Sequence, residues 1–508
     1  MRPAWCYLNG MRRVLLLLVV AVAGAGCGSK AEPATSNTTP PEPPTAEPAG
    51  EPAAPAPAAS AADLAPTLDI PLELHKLPNG LRVVLSRDPS APIATVAVYY
   101  GIGFRVEPKE RTGFAHLFEH MMFQGSSNLG KMEFITLVNA NGGVVNGSTR
   151  FDFTNYYETI PSHVLETMLW AEADRMRGLA VTDENLTNQK GVVSNEVRVN
   201  VLNRPYGGFP WLSMPQVANT NWYNAHNFYG DLTDIESSKL DEVQQFFKTY
   251  YVPANAVLTV VGDIDPAATL QWIEKYFGDI PGGTRPALPD LTEPPQTKER
   301  RQSQTDKQAD RPAMAVAWHM PDRGTPEFWA MAWVFQILAA GRDSWLHQSL
   351  VQQHGYTGGV DGDINALGNQ FNYRGPMLFE VSLFHDAGTS TDTILAAMDQ
   401  EIAKLAAAPI DADTFARTRV KVRSAFYDLV DDTFGRADLL AATTLFDDDP
   451  GKVNQIEGQL MRVTPQQIQA TARQFLRKEN RTVLTVVPGK PAPPAPPTPP
   501  APTGKGAK

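Results

Sequence analysis

The 508-residue sequence has only two cysteines, Cys6 and Cys27, both near its start. Everything after Cys27 therefore has no disulfide, and a metal centre there must use histidine and carboxylate side chains. Positive charge is also in short supply: 44 Lys and Arg face 55 Asp and Glu, a net charge of −11. That balance gives no basic face for phosphates, so no nucleic-acid partner is expected. The apolar run Val14–Ala23 is too short to cross a bilayer as a helix, which needs about 20 residues. Large apolar residues are scarce in two flanks, where residues 31–66 hold 10 of the 43 prolines and residues 488–508 hold 9. Such segments cannot bury enough surface to offset chain entropy and read as extended tethers.

What is present near the start is a targeting pattern. Arg12 and Arg13 precede the apolar run, and small residues Gly24, Ala25 and Gly26 lead to Cys27. This resembles a bacterial lipoprotein signal, with Cys27 as the lipid-modified residue. The alternative is an ordinary secretory signal with an incidental cysteine, and Met11 is a second possible start. The expectation is an exported chain, anchored by lipid to a membrane of the cell envelope. Gly28 and Ser29 favour the outer membrane, facing the periplasm.

With 43% hydrophobic residues, the remaining body is long enough for two cores. Asn79-Gly80 between apolar runs predicts a hairpin. Ile93–Tyr100, IATVAVYY, predicts a buried strand, and strands are also predicted around Val144 and Phe153. Helical spacing runs through residues 164–179, 183–200 and 241–250. The string VLTVV occurs at Val257 and again at Val483, each time after an amphipathic helix. The repeat points to two related halves, with the seam in the Pro- and charge-rich stretch Pro281–Arg311. The expected divisions are a signal at 1–27, a tether at 28–68, an N-terminal domain at 69–285, a linker at 286–311, a C-terminal domain at 312–488 and a tail at 489–508.

The chemistry concentrates at His116-Leu-Phe-Glu119-His120. Residues four apart share a helix face, so both imidazoles can reach one metal with Glu119 beside them. This is the zinc motif of metallopeptidases with its order reversed. The bland alternative is a pair of satisfied core histidines. Catalytic zinc usually takes three protein ligands, and Glu196, 76 positions after His120 in an apolar helix pattern, is a carboxylate that would need a partner if it faced the core.

RTGFAHLFEHMMFQGS at Arg111, the distant Glu196, the Gly-Gly-x-x-Asn segment at Gly142, FTNYYETIP at Phe153 and YVPANAVLTVVGDIDP at Tyr251 together resemble the zinc peptidases of the pitrilysin, insulin-degrading enzyme and mitochondrial processing peptidase family. The likeness runs from about Leu72 to Pro488. It implies an α+β fold of two tandem related α/β sandwich domains, each a mixed, largely antiparallel sheet with helices on one face. It implies one zinc ion held by His116, His120 and Glu196, with Glu119 as general base. It places the substrate, as an added strand, along Val144, Val145, Asn146 and Gly147. A structural role for Asn146 beside a turn is the alternative.

Two positions depart from the family pattern. A second Glu that members often carry seven residues before the ligand Glu is Gln189 here, expected to tune the surroundings of the metal. The Arg and Tyr that approach the substrate carbonyl in the C-terminal half correspond to Val351 and Gly358; Tyr356 sits two positions early, and its serving in that role is the alternative. In two-subunit members a metal-free sister chain supplies that pair, so the resemblance implies a heterodimer with such a sister, a homodimer remaining open. The expected function is zinc-dependent cleavage of peptides or unfolded polypeptides. A non-catalytic or weakly active partner subunit is the alternative.

Overall fold

The computed structural model describes residues 68–489; the signal-like segment with Cys27, nearly all of the N-terminal tether and most of the C-terminal tail lie outside the described residues. Two mixed sheets organise these residues. The first contains β1 (Glu73–Lys76), β2 (Arg82–Arg87), β3 (Ile93–Tyr100), β4 (Val144–Thr149), β5 (Thr154–Pro161) and β6 (Ala256–Gly262), in the order β1-β2-β6-β3-β5-β4. The second contains β7 (Arg300–Asp306), β8 (Ala313–His319), β9 (Asp361–Ile364), β10 (Leu378–Phe384) and β11 (Arg481–Pro488), in the order β7-β11-β8-β10-β9. Apart from β1 the orders match, including one parallel pair in each, β2 with β6 and β7 with β11. The VLTVV repeats fall in β6 and β11, the equivalent interior strands. The chain is thus a duplicated α+β fold.

Strand β3 shows why its sequence is apolar without alternation. Val96, Val98 and Tyr100 enter the core formed with the helices Phe114–Met121 and Leu165–Arg177. Ala97 and Tyr99 face the opposite way, into a core shared with the C-terminal half. A strand covered on both faces reads as a continuous hydrophobic run. The cover on the second face is the helix Thr433–Asp447, which belongs to the other half of the sequence. Phe434 stacks on Tyr157 at 3.8 Å, Thr433 Oγ1 is 2.7 Å from Thr95 Oγ1, and Tyr99 donates to buried Asp438 at 2.8 Å. At its C-terminus, Arg82, Arg285 and Arg374 donate to the carbonyls of Thr444, Leu445 and Phe446. Those cations meet the negative end of the helix dipole.

The exchange is reciprocal. Phe209, Met214 and Ala218 of the N-terminal half pack on Ala313, Ala315 and Ala317 of β8 and on Leu484 and Val486 of β11. Alternate alanines on β8 give one small-residue face that admits the visiting segment, while Met314, Val316 and Trp318 fill the opposite face. Each sheet is therefore covered by its own helices on one side and by the other half on the other. The stretch 286–311, expected as a linker, contributes β7 to the second sheet. Its polar sequence RRQSQTD suits an edge position, where burial does not demand apolar alternation. Among the described residues no helix is long and apolar enough to cross a membrane.

Candidate metal centre and active site

The helix Phe114–Met121 carries the HxxEH residues and begins in an unusual way. Its first-turn N–H groups are not capped by a neighbouring side chain. Instead Glu107, fully buried, accepts from the N–H groups of Gly113 and Ala115, and lies 3.7 Å from His226 Nε2. Burial raises the pKa of Glu107, and the hydrogen bond and charge of His226 work in the opposite direction. Gly113 has φ 80, and a Cβ there would stand 2.4 Å from the Tyr229 carbonyl, so glycine is required.

One helical turn brings His116 Nε2 and His120 Nε2 to 3.3 Å, with the rings nearly perpendicular at 86°. Glu196, near the end of the helix Asp183–Val197, completes the group. Its Oε2 is 3.2 Å from His120 Nε2 and its Oε1 is 3.7 Å from His116 Nε2. Burial alone would raise the Glu196 pKa, but the His120 hydrogen bond, the two histidines and the Tyr229 hydroxyl bring it down to about 2. Burial disfavours charge on His120 as well, yet Glu196 and Glu119 outweigh it and raise its pKa; His116 is pushed down by burial and by His120. Among the described residues this is the single group of three or more such side chains with converging donor atoms, all within 4.8 Å. Two imidazole nitrogens and a carboxylate oxygen aimed at one point are a donor set that fits Zn²⁺ and leaves room for further coordination. Gln189, buried on the same helix as Glu196, donates to Asn188 Oδ1 at 2.8 Å and adds to the rise in the His120 pKa.

Glu119 is half-buried and points toward the edge of the sheet. Its Oε2 accepts from Thr149 Oγ1 at 2.7 Å, which joins it to the last residue of β4. Strand β4 is the final strand in its sheet, paired with β5 on one side only. Val144 is 63% exposed, and Val145, Asn146 and Gly147 are half-buried. Asn146 Oδ1 accepts from the Gly147 N–H at 2.9 Å, and a Cβ on Gly147 would stand 3.2 Å from the Tyr156 ring. Among the described residues no strand pairs with the outer side of β4, so the strand beside the HxxEH helix offers an edge to an added strand.

In the other half Val351 lies in the π-helical turn Gln348–Gln353, and Tyr356 stacks on His354 at 4.8 Å. Tyr356 packs against the C-terminal core. Three residues at the metal centre were not picked out from the sequence: Glu107, Thr149 and Tyr229. The hydrogen bonds they make here span 6 to 33 residues of chain. Only Glu107, an acid just ahead of a glycine-led apolar helix, leaves a local signal.

Comparison with known proteins fits this geometry. The family model described as insulinase, peptidase family M16, matches residues 82–206, and that described as the peptidase M16 inactive domain matches residues 238–421. The chain belongs to peptidase family M16. Among curated M16 relatives, the zinc protease PqqE of Helicobacter pylori is 28% identical over 54% of this chain and 63% of its own length. The zinc protease YmxG of Bacillus subtilis is 28% identical over 39% of this chain and 48% of its own. The matches thus span about half to two thirds of those relatives. The M16 fold is shared with a protease from Helicobacter pylori, at a TM-score of 0.76 and 22% identity over 82% of this chain and all of that one. It is shared too with the periplasmic protease PqqL of Escherichia coli, at 0.65 and 18% over 84% of this chain and 49% of that one.

Proposed function

We propose that the protein is a zinc-dependent endopeptidase of the cell envelope that cleaves peptides or unfolded polypeptides. The observation that carries this reading is the convergence of His116, His120 and Glu196 beside a Glu119 that is anchored to an edge strand. Zinc held by those three side chains would polarise a scissile carbonyl and make water acidic enough to attack near neutral pH. Strand β4, from Val144 to Gly147, binds the substrate backbone and sets its register. Thr149 engages Glu119 Oε2 and leaves Oε1 to take a proton from the attacking water and return it to the departing amine as the C–N bond breaks. Gln189 steadies His120 from the side.

Val351 and Gly358 stand where family members carry the Arg and Tyr that meet the carbonyl, which supports action beside a sister chain that supplies them. The printed name of PqqL as a periplasmic protease, together with the signal-like segment and Cys27, supports export and lipid anchoring. The divisions at 28–68, 69–285, 312–488 and 489–508 are kept as proposed boundaries, with the second domain extended back to include β7.

The test is peptide cleavage by the purified chain and a Glu119→Gln variant, with zinc counted by mass spectrometry, each alone and with a neighbouring sister chain. Zinc in both and cleavage lost only in the variant is the expected result. Cleavage indifferent to Glu119 in both settings would overturn the reading and leave a partner subunit as the better one.

A further inference from the structure

Tyr229 bridges the two helices that carry the metal group. Its hydroxyl donates to Glu196 Oε1 at 3.0 Å, while Glu196 Oε2 faces His120 Nε2 at 3.2 Å. Just beyond Glu196 its helix gives way to the π-helical turn Arg198–Leu202. A π turn at that point re-aims the side chains of a helix end, a distortion found mostly at functional sites.

The ring is fixed as firmly as the hydroxyl. Tyr229 is 2% exposed, and its ring meets His116 edge-on at 5.1 Å and Trp211 at 6.0 Å. Phe228 covers the His116 ring at 4.7 Å. The backbone of this segment is stapled to the start of the HxxEH helix: Asp231 N–H donates to Thr112 Oγ1 at 2.8 Å, and the Thr112 N–H donates to Asp234 Oδ2 at 3.1 Å. Tyr229 thus stands rigidly on the helix of His116 and His120 while it holds the carboxylate delivered by the other helix.

We propose that Tyr229 is a positioning residue that orients Glu196, its hydroxyl taking up Oε1 so that Oε2 is presented to the metal as a single-oxygen ligand. This rests on the zinc reading above. A carboxylate on a free side chain samples several rotamers and can offer either or both oxygens. Engagement of one oxygen by a fixed donor selects one arrangement before the metal arrives, and groups that hold a ligand in this way typically change metal affinity by about 10- to 100-fold when removed.

The experiment is competition for zinc between the full chain and a chromophoric chelator, with the visible spectrum of the cobalt-substituted protein recorded in parallel. Tyr229→Phe keeps every ring contact and loses only the hydroxyl. It is expected to bind zinc about 10- to 100-fold more weakly, with an altered cobalt spectrum and an unchanged melting temperature of the metal-free protein. In a Glu196→Ala background the same change should have no further effect on affinity. Zinc affinity within about two-fold of the parent, with the parent's cobalt spectrum, would overturn the proposal and assign Tyr229 a packing role. A parent chain that holds no zinc, or holds it equally after His120→Ala, would overturn the zinc reading itself and this inference with it.

Discussion

The helix after β3 and the helix after β8 occupy corresponding places in the two halves, and they are built on opposite plans. Pro326–Leu338 spans 13 residues, opens with proline, and is capped locally by Thr325 Oγ1, which accepts from the Phe328 N–H at 3.2 Å. It buries Phe328, Met331, Trp333 and Val334, and its one buried polar tip, Trp333 Nε1, donates to the Leu460 carbonyl. Phe114–Met121 spans 8 residues, opens on a left-handed glycine and takes its cap from a carboxylate in the preceding segment. It buries two histidines among its apolar residues. Pro326–Leu338 is a self-sufficient core element, whereas Phe114–Met121 is held in place by its surroundings and spends two of its buried positions on histidines.

That contrast can be broken in graded steps. The largest effect is expected from Glu119→Gln, a loss of about 100- to 10,000-fold in peptide hydrolysis, with zinc content and melting temperature unchanged. Glu107→Ala should come next. It orphans the first-turn N–H groups and His226, and should lower stability by about 3–5 kcal/mol in a urea titration, with loss of bound zinc.

A pH-dependent step sharpens the comparison from the side of the second sheet. Burial, and then Asp363 opposite it on β9, push the pKa of Glu380 up to about 8. The folded chain holds this proton more tightly than the unfolded chain, so the associated stability is complete below the ordinary carboxyl range and is lost as pH rises toward 8. Glu380→Gln should gain on the parent by up to ~1.4 kcal/mol per pH unit across that window, read from urea midpoints at successive pH values. The smallest step is Thr325→Ala, about 1 kcal/mol, because it removes one cap from a helix already fixed by its core. An equal loss from Thr325→Ala and Glu107→Ala would erase the distinction between the two helices.

The legible parts of this molecule are those whose cause is local. The i, i+4 spacing of His116 and His120 places two imidazoles on one face wherever that helix sits, and the unbroken apolar runs of β3, β6 and β11 announce strands covered on both sides. Glu196 was within reach because a carboxylate in an apolar helix pattern needs a partner. Strand β7 was not, since an edge strand made wholly of polar and charged residues looks like a linker. The helix Thr433–Asp447 has consecutive buried residues from Ala437 to Leu445, which shows that it is enclosed but not which sheet encloses it. Thr149 and Tyr229 meet their partners only through the fold.

That enclosing helix has a consequence for the order of events during synthesis. The contact between Thr95 and Thr433 spans 338 positions, and that between Tyr99 and Asp438 spans 339. Contacts so distant in sequence form late, because chain entropy must be lost before they are made. As the ribosome extends the chain, the sheet that supports the metal centre stands with one face, including Ala97 and Tyr99, open to water until residue 447 has emerged. A message truncated anywhere before that helix would strand the N-terminal half with its HxxEH helix translated and its sheet half-clothed.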